Sequence, residues 1–194
     1  MKKNHIEKDK IIDVAVDLFG ERGYAATSIR DISKALNVSI ATLYYYFRNK
    51  EELLLTIIEA IGEDLLRTIE KARETSDDPL ERFRRMLEAH IRLTEEKKSK
   101  VKIYVEEQHN LSKKYKKTIY KQHRHIYDVY ATQLKALQES GTIDAEPISV
   151  TVFAMFGMVN WCYRWFKRDG ALPIEEVSEK IIHLLFHGIV KESG

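Results

Sequence analysis

The chain has 194 residues, of which 44% are hydrophobic and 32% charged, with only 8 Gly and 3 Pro. This length allows one compact domain or a small domain joined to a larger one, and the scarcity of turn residues favours long helices. The formal net charge of +2 excludes nucleic-acid binding by overall charge, so any such binding must come from a local surface.

The sequence shows no pattern that predicts secretion or insertion into a membrane. The single cysteine, Cys162, excludes an intramolecular disulfide, so nothing in the sequence requires an oxidising compartment. The basic N-terminus lacks a following apolar segment, which argues against a secretory signal. The most apolar stretch, 150–166, is too short to span a membrane and contains Asn160 and Arg164, so we interpret it as a buried helix. We expect a cytoplasmic protein without membrane contact.

Apolar residues recur at helical spacing along almost the whole chain, and no sustained alternation predicts a strand. We therefore expect an all-α fold of about nine helices. The first helix ends at Gly23, a residue suited to the position after a helix. Two very short helices follow, capped by Ser28 and Ser39, with Asn37 at the sharp turn between them. This order of elements predicts a helix-turn-helix. Six longer helices follow it.

The second short helix, from Ser39 to Phe47, has two distinct faces. At about 100° per residue, Ile40, Leu43 and Phe47 turn towards the core. The outward residues Ala41, Thr42 and Tyr45 are small or able to form hydrogen bonds. Tyr44 and Tyr46 lie on the flanks, where phenols reach phosphate oxygens beside a major groove. Lys50 and the N–H groups at the start of the next helix would attract a further phosphate.

The segments 27–32 and 38–53 together resemble the DNA-binding signature of the TetR/AcrR family. That family comprises dimeric regulators, mostly repressors, which a small molecule releases from DNA. The resemblance implies a DNA-binding domain over residues 1–50 and a ligand-binding and dimerisation domain over residues 51–194. It implies backbone contacts from Thr27, Tyr44, Tyr46 and Lys50 and a base-facing surface of Ser39, Ala41, Thr42 and Tyr45. The alternative is that the three tyrosines are core aromatics, but buried phenols need partners and the core stripe is already filled.

A recognition helix of about two turns makes few base contacts, so specific affinity needs two copies on a two-fold related operator. We expect a homodimer in which the last two helices of each copy form a four-helix bundle. The predicted interface residues are Gly157, Trp161, Trp165, Ile181, Leu184, Leu185 and Ile189. The alternative is that these residues are simply monomer core.

The central helices offer apolar and polar side chains of the kind that line a small-molecule pocket. The predicted lining residues are Phe83, Met86, Leu87, His90, Tyr104, Gln108, Tyr127, Tyr130, Phe153, Phe156 and Asn160. Any of them could instead be an ordinary core residue.

The stretch 97–124 holds ten basic and two acidic residues, the strongest charge bias in the chain. It could be a solvated face, an extra DNA-contacting surface, or a partner for an anion beside the pocket. The segment 160–176 is similar to a TetR/AcrR subgroup whose inducers are acyl-CoA thioesters of fatty acids or sterol fragments. We therefore hypothesise an acyl-CoA effector and no other cofactor, with a drug-like ligand and control of efflux genes as the alternative.

Other classes of function are disfavoured. His123 and His125 are two residues apart and cannot share a helix face, so they build neither a metal pair nor a nucleophile-base arrangement. No phosphate-binding glycine loop or metal motif occurs. We predict no catalytic site and no metal site. A helical enzyme or a purely structural bundle remains a weaker alternative.

Overall fold

The computed structural model describes residues 7–145 and 147–189, and within them the chain is all-helical, without a β-strand. The predicted fold class is confirmed. None of the described helices is both long and apolar enough to cross a membrane. The α-helices are α1 (Lys8–Arg22), α2 (Ile29–Ala35), α3 (Ile40–Tyr46), α4 (Lys50–Arg73), α5 (Pro79–Glu96), α6 (Lys98–Glu106), α7 (Lys113–Glu139), α8 (Ile148–Asn160), α9 (Cys162–Trp165) and α10 (Ile174–Ile189), with a 3₁₀ helix at Gln108–Asn110.

The buried helix predicted from the apolar stretch 150–166 is divided in the structure into α8 and α9. The break falls at Trp161, whose N–H donates to the carbonyl oxygens of both Gly157 and Val159. The N–H of Arg164 then donates to the Trp161 carbonyl oxygen at 3.0 Å, across three residues instead of four, so the α-helical pattern is interrupted there. α9 is consequently a single turn of four residues.

The chain forms two compact units with limits that differ from the predicted domains. The first unit contains residues 1–61 and 99–119, and the second contains 62–98 and 120–194. The reason is the core of the first unit, which takes apolar side chains from the first part of α4, from α6 and from the start of α7. These side chains are Leu53, Leu54, Ile57, Ile58, Ile103 and Ile119. The functional boundary between residues 50 and 51 stays a prediction.

Local sequence signals set the backbone of the first unit. Ser28 and Asp31 form a reciprocal capping box at the start of α2. Asn37 has a φ of 53° in the turn before α3, and Gly23 has a φ of 83° after α1. Both residue types tolerate the left-handed region, so these two turns follow from the sequence.

The second unit is built on α5, which packs against α8, α9 and α10. Its core contains Phe83, Met86, Tyr130 and Leu134, all fully buried. The ring of Phe83 stacks on that of Phe186 with centroids 6.0 Å apart. Aromatic stacking of this kind holds α5 to α10.

Candidate nucleic-acid interface and effector site

The helix-turn-helix presents α3 with its N-terminus fixed by two hydroxyls. The Ser39 side chain accepts a hydrogen bond from the backbone N–H of Thr42 at 3.1 Å. The two side-chain oxygens of Ser39 and Thr42 lie 2.8 Å apart. A capped first turn holds the following residues in a defined orientation, which a two-turn reading helix requires.

The outward face of α3 is exposed as the residue spacing predicts. Tyr45 is 82% exposed and Tyr44 is 52% exposed, whereas Leu43 and Phe47 are buried. Ala41 is also exposed, and Thr42 is partly exposed. The core alternative is therefore wrong for Tyr44 and Tyr45. Tyr46 is half-buried against the first core, with its ring centroid 5.1 Å from that of Tyr45.

Thr27 does not present its side chain to solvent. It is only 1% exposed, and its hydroxyl donates to the carbonyl oxygen of Gly23 at 2.9 Å. The side chain therefore ties the loop after α1 to the beginning of α2. The hydroxyl therefore serves the loop, and a contact of Thr27 with the DNA backbone, as implied by the resemblance, stays a prediction.

Lys50 is partly buried and committed to the same loop. Its Nζ donates to the carbonyl oxygens of Tyr24 and Thr27 at 2.8 and 2.9 Å. It lies 4.0 Å from the ring centroid of Tyr24, and burial lowers its pKa. An ammonium has three N–H donors, so one is left for a DNA phosphate. Lys50 thus also holds the loop, and its contact with a DNA phosphate stays a prediction.

The N-terminus of α4 also differs from the predicted phosphate site. The Asn49 side chain accepts from the N–H of Glu52 at 2.8 Å, and the Glu52 carboxylate accepts from the N–H of Arg48 at 2.6 Å. Glu51 adds a second carboxylate to the first turn. These acids neutralise the positive end of the helix and disfavour a phosphate there.

Glu107 and Asn110, which the sequence patterns do not single out, support the loop between α1 and α2. The Glu107 carboxylate accepts from the backbone N–H of Tyr24 at 3.2 Å and from the side chain of Asn110 at 2.7 Å. Tyr24 in turn lies beneath the Lys50 ammonium. Because Glu107 follows α6, far along the chain, no local pattern could have predicted its role.

Part of the predicted effector pocket comes together as the core of the second unit. Phe83, Met86, Leu87 and Tyr130 are fully buried there, with Tyr127 and Phe156 packed partly buried against them. These side chains share one apolar environment. Their role as pocket walls stays a prediction.

A polar cluster lies inside that apolar core. The Nδ1 atom of His90 is 3.1 Å from the Tyr130 hydroxyl, which donates to the carbonyl oxygen of Met86 at 3.4 Å. Asn160 hydrogen bonds the His90 side chain, but burial dominates and lowers the pKa of His90 to about 4. Burial also raises the pKa of Tyr130. Both side chains are therefore neutral at pH 7, as an uncharged hydrogen-bonding site requires.

Three predicted pocket residues are not part of this buried core. Tyr104 and Gln108 belong to the first unit, where Tyr104 packs against the first core and the Gln108 amide donates to the Tyr104 carbonyl oxygen. Phe153 is 65% exposed on α8, with its ring centroid 5.6 Å from that of Tyr127. The prediction grouped these residues with the others because all are aromatic or polar on central helices, a property that does not reveal which core a helix joins.

Exposed apolar side chains of α8, of α9 and of the residue between them form a face that agrees with much of the predicted interface. Trp161 and Trp165 are half-exposed, Gly157 faces open space, and Leu184 on α10 is 66% exposed. The monomer-core alternative is therefore wrong for Trp161, Trp165 and Leu184. Exposed Val150 and Phe153 extend this face along α8.

Other members of the predicted interface differ. Leu185 is 7% exposed and packs in the core of the second unit, because it points to the side of α10 that faces α5. Ile181 is half-buried against the same core. Ile189 falls at the end of α10, where its side chain lies outside the described residues.

The basic stretch 97–124 is not a continuous free surface. Lys97 pairs with Asp64, Lys100 lies 3.3 Å from the Asp13 carboxylate, and Arg124 lies 3.0 Å from that of Asp128. Three more lysines donate to backbone carbonyl oxygens: Lys98 to Phe166, Lys102 to Gly20 and Lys116 to His109. Lys113, Lys117 and Lys121 are exposed at four-residue spacing on α7. These three lysines form an exposed basic row along α7, which is a smaller basic surface than the charge bias of the stretch 97–124 suggests.

Two protein-family profiles match the sequence of this chain. Residues 11–57 match the profile of bacterial regulatory proteins of the tetR family, and residues 76–189 match that of the tetracyclin repressor-like C-terminal domain. The chain therefore belongs to the TetR family of transcriptional regulators, whose members bind operator DNA, act as dimers and bind small-molecule effectors.

Individual relatives can be named. The chain is 24% identical to the HTH-type transcriptional repressor KstR2 of Mycolicibacterium smegmatis, over 96% of this chain and 92% of the repressor. The TetR family regulator PfmR of Thermus thermophilus superposes with a TM-score of 0.84 and 32% identity, covering 91% of this chain and 97% of PfmR. AibR, solved in complex with isovaleryl coenzyme A and operator DNA, has a TM-score of 0.85 and 28% identity, over 92% of this chain and 97% of AibR.

Proposed function

We propose that the chain is a homodimeric repressor that binds a palindromic operator through α3 of each copy and is released by an acyl-CoA thioester. The observation that carries this proposal is the exposed face of Ala41, Thr42, Tyr44 and Tyr45 on α3, within the segment that matches the tetR-family profile. A protein with this activity works where operator DNA is found, in the cytoplasm.

The proposed DNA contact relies more on shape and phosphates than on charged base readout. α3 (IATLYYY) contains no Lys or Arg, so bidentate contacts to guanine are not available from it. The Thr42 hydroxyl and the Tyr44 and Tyr45 phenols would supply hydrogen bonds and contact with thymine methyl groups. Two such helices on successive major grooves are needed for useful affinity.

The proposed dimer uses the exposed apolar face of α8 together with Leu184 of α10. A monomer in water would leave two tryptophans and a phenylalanine exposed along this face, a patch typical of protein interfaces. A two-fold axis would bring the same face of a second copy against it.

The proposed effector would place its acyl chain among the apolar side chains of the second unit and its thioester carbonyl near the His90, Tyr130 and Asn160 cluster. A thioester carbonyl could replace the Met86 carbonyl oxygen as the acceptor of the Tyr130 hydroxyl, and an apolar lining suits a hydrocarbon chain. The AibR complex with isovaleryl coenzyme A supports this class of ligand. Effector binding would favour a spacing of the two recognition helices that no longer fits the operator.

The test begins with selection of a DNA site from a random pool by the purified chain. We expect a palindrome with half-sites about one helical turn apart. Acyl-CoAs of increasing chain length are then titrated into the complex, with free coenzyme A and the free acids as matched controls. Release by acyl-CoA alone supports the proposal. Release by hydrophobic drugs and not by any acyl-CoA would favour the efflux alternative.

A further inference from the structure

Two histidines on α10 are spaced so that their side chains share one side of the helix. His183 and His187 are four residues apart, so they lie one above the other on the same side of the helix. Their ring centroids are 3.8 Å apart. Both side chains are exposed. Two imidazoles in this arrangement can reach a single ion placed beside the helix.

The pair lines an open groove of about 800 Å³ between α5 and α10. Its walls also carry four carboxylates, from Asp78, Glu81, Glu176 and Glu179, against two cations, from Arg84 and Lys180. Lys180 lies 3.5 Å from the Glu176 carboxylate, and Arg84 lies 3.1 Å from that of Glu88. Glu81 is also paired, with Arg85 at 2.8 Å, so the carboxylates of Asp78 and Glu179 are the ones that favour a positive ion in the groove.

We propose that His183 and His187 chelate one divalent transition-metal ion, such as Zn²⁺ or Ni²⁺, on α10. Imidazole nitrogen is a preferred ligand of both ions. Among the described residues, no three His, Cys, Asp or Glu side chains are grouped to hold a metal, so the two imidazoles are the protein ligands and water completes the coordination. The nearby carboxylates act through their charge.

On α10 the site lies next to the face proposed for dimerisation, but its groove is bounded by α5 and not by α8. At about 100° per residue, Leu184 is turned by about 100° from His183 and by about 60° from His187. The groove is lined by α5, α10 and Asp78, and by none of the exposed residues of α8. An ion bound there cross-links two turns near the end of α10 and therefore stabilises that part of the helix.

The experiment measures Ni²⁺ and Zn²⁺ binding to the untagged, metal-free chain by calorimetry in a buffer that does not bind metal. We expect one ion per chain and a rise in melting temperature, because an ion that binds only the native state stabilises it. His183→Ala and His187→Ala should each weaken binding by about tenfold or more. His125→Ala, which removes an exposed histidine from α7, should leave the affinity within about twofold.

Circular dichroism in the presence of a chelator checks that all variants fold alike. Absence of binding to the parent chain overturns the proposal. So does binding that survives in both His183→Ala and His187→Ala, or that His125→Ala weakens equally. Because these measurements contain neither DNA nor acyl-CoA, their outcome is independent of the proposed function.

Discussion

At the scale of single residues, the main finding is that two signature side chains of the helix-turn-helix are structural. The sequence motif predicts that Thr27 and Lys50 are important for the helix-turn-helix. It does not predict that their side chains bind carbonyl oxygens of the protein's own loop. Thr27 is buried, and Lys50 donates to two carbonyl oxygens of the loop before α2. The loop conformation depends on Glu107, a partner far along the chain, so pattern and spacing alone could not predict it.

Lys50→Met removes both hydrogen bonds to the carbonyl oxygens of Tyr24 and Thr27. Because bonds from charged donors are among the stronger ones and Lys50 is partly solvated, we expect the free energy of unfolding to fall by about 2 kcal/mol. Urea denaturation measures this change. Lys34→Met, at an exposed position of α2, is the control and should change stability by less than about 0.5 kcal/mol. Equal losses in both variants would contradict the structural role of Lys50.

His90 makes stability depend on pH. Its ordinary pKa of 6.5 falls to about 4 on folding, so the unfolded chain binds the proton more readily. The stability contributed by neutral His90 is complete above pH 6.5 and is lost as the pH falls from 6.5 towards 4, by up to about 3 kcal/mol.

Urea denaturation across this pH range measures the effect of His90 as a slope. His90→Gln keeps a polar side chain without the titration, and we expect the slope between pH 6.5 and 4 to become shallower. A His90→Gln slope identical to that of the parent would show that His90 is not the responsible group.

At the scale of helices, the sequence predicts the elements well and their partners less well. The α2 and α3 caps follow from Ser28 and Ser39, and the turn follows from Asn37. α8 is apolar on nearly every side, so helical periodicity could not separate its core side from its exposed side. Phe153 is exposed for that reason, although its ring contacts that of Tyr127, and its role in lining the pocket stays a prediction. The same limit applies to Leu185, whose side of α10 is decided by packing against α5.

The exposed face of α8 makes a prediction about association. Phe153→Asp should prevent dimer formation, because an unpaired carboxylate would be buried at the two-fold interface. Sedimentation should then give a monomer at micromolar concentration, while the helical circular dichroism signal stays that of the parent. Thr132→Asp, an exposed change on α7, should leave the parent dimer intact. A dimeric Phe153→Asp chain would place the interface elsewhere.

At the scale of the whole molecule, the chain forms two units, each with its own core. In the function proposed above, the first unit reads DNA and the second senses the effector. The sequence predicts the first function from a compact motif, because DNA contact uses neighbouring residues of α3. The second function draws on residues of several helices, and α6 joins the first unit instead of the predicted pocket. Because α6 packs in the core of the first unit, Tyr104 and the following Gln108 belong to that unit and not to the core that contains the other predicted pocket residues.

In the proposed complex, α3 reads operator DNA through the exposed phenols of Tyr44 and Tyr45. Fluorescence anisotropy with the selected palindrome should show that Tyr45→Ala weakens binding by about tenfold or more, since each aromatic or base contact contributes about 1–3 kcal/mol. Tyr120→Ala, which removes another exposed tyrosine, from α7, should bind within about twofold of the parent. Undiminished binding by Tyr45→Ala, or an equal loss in Tyr120→Ala, would contradict the account.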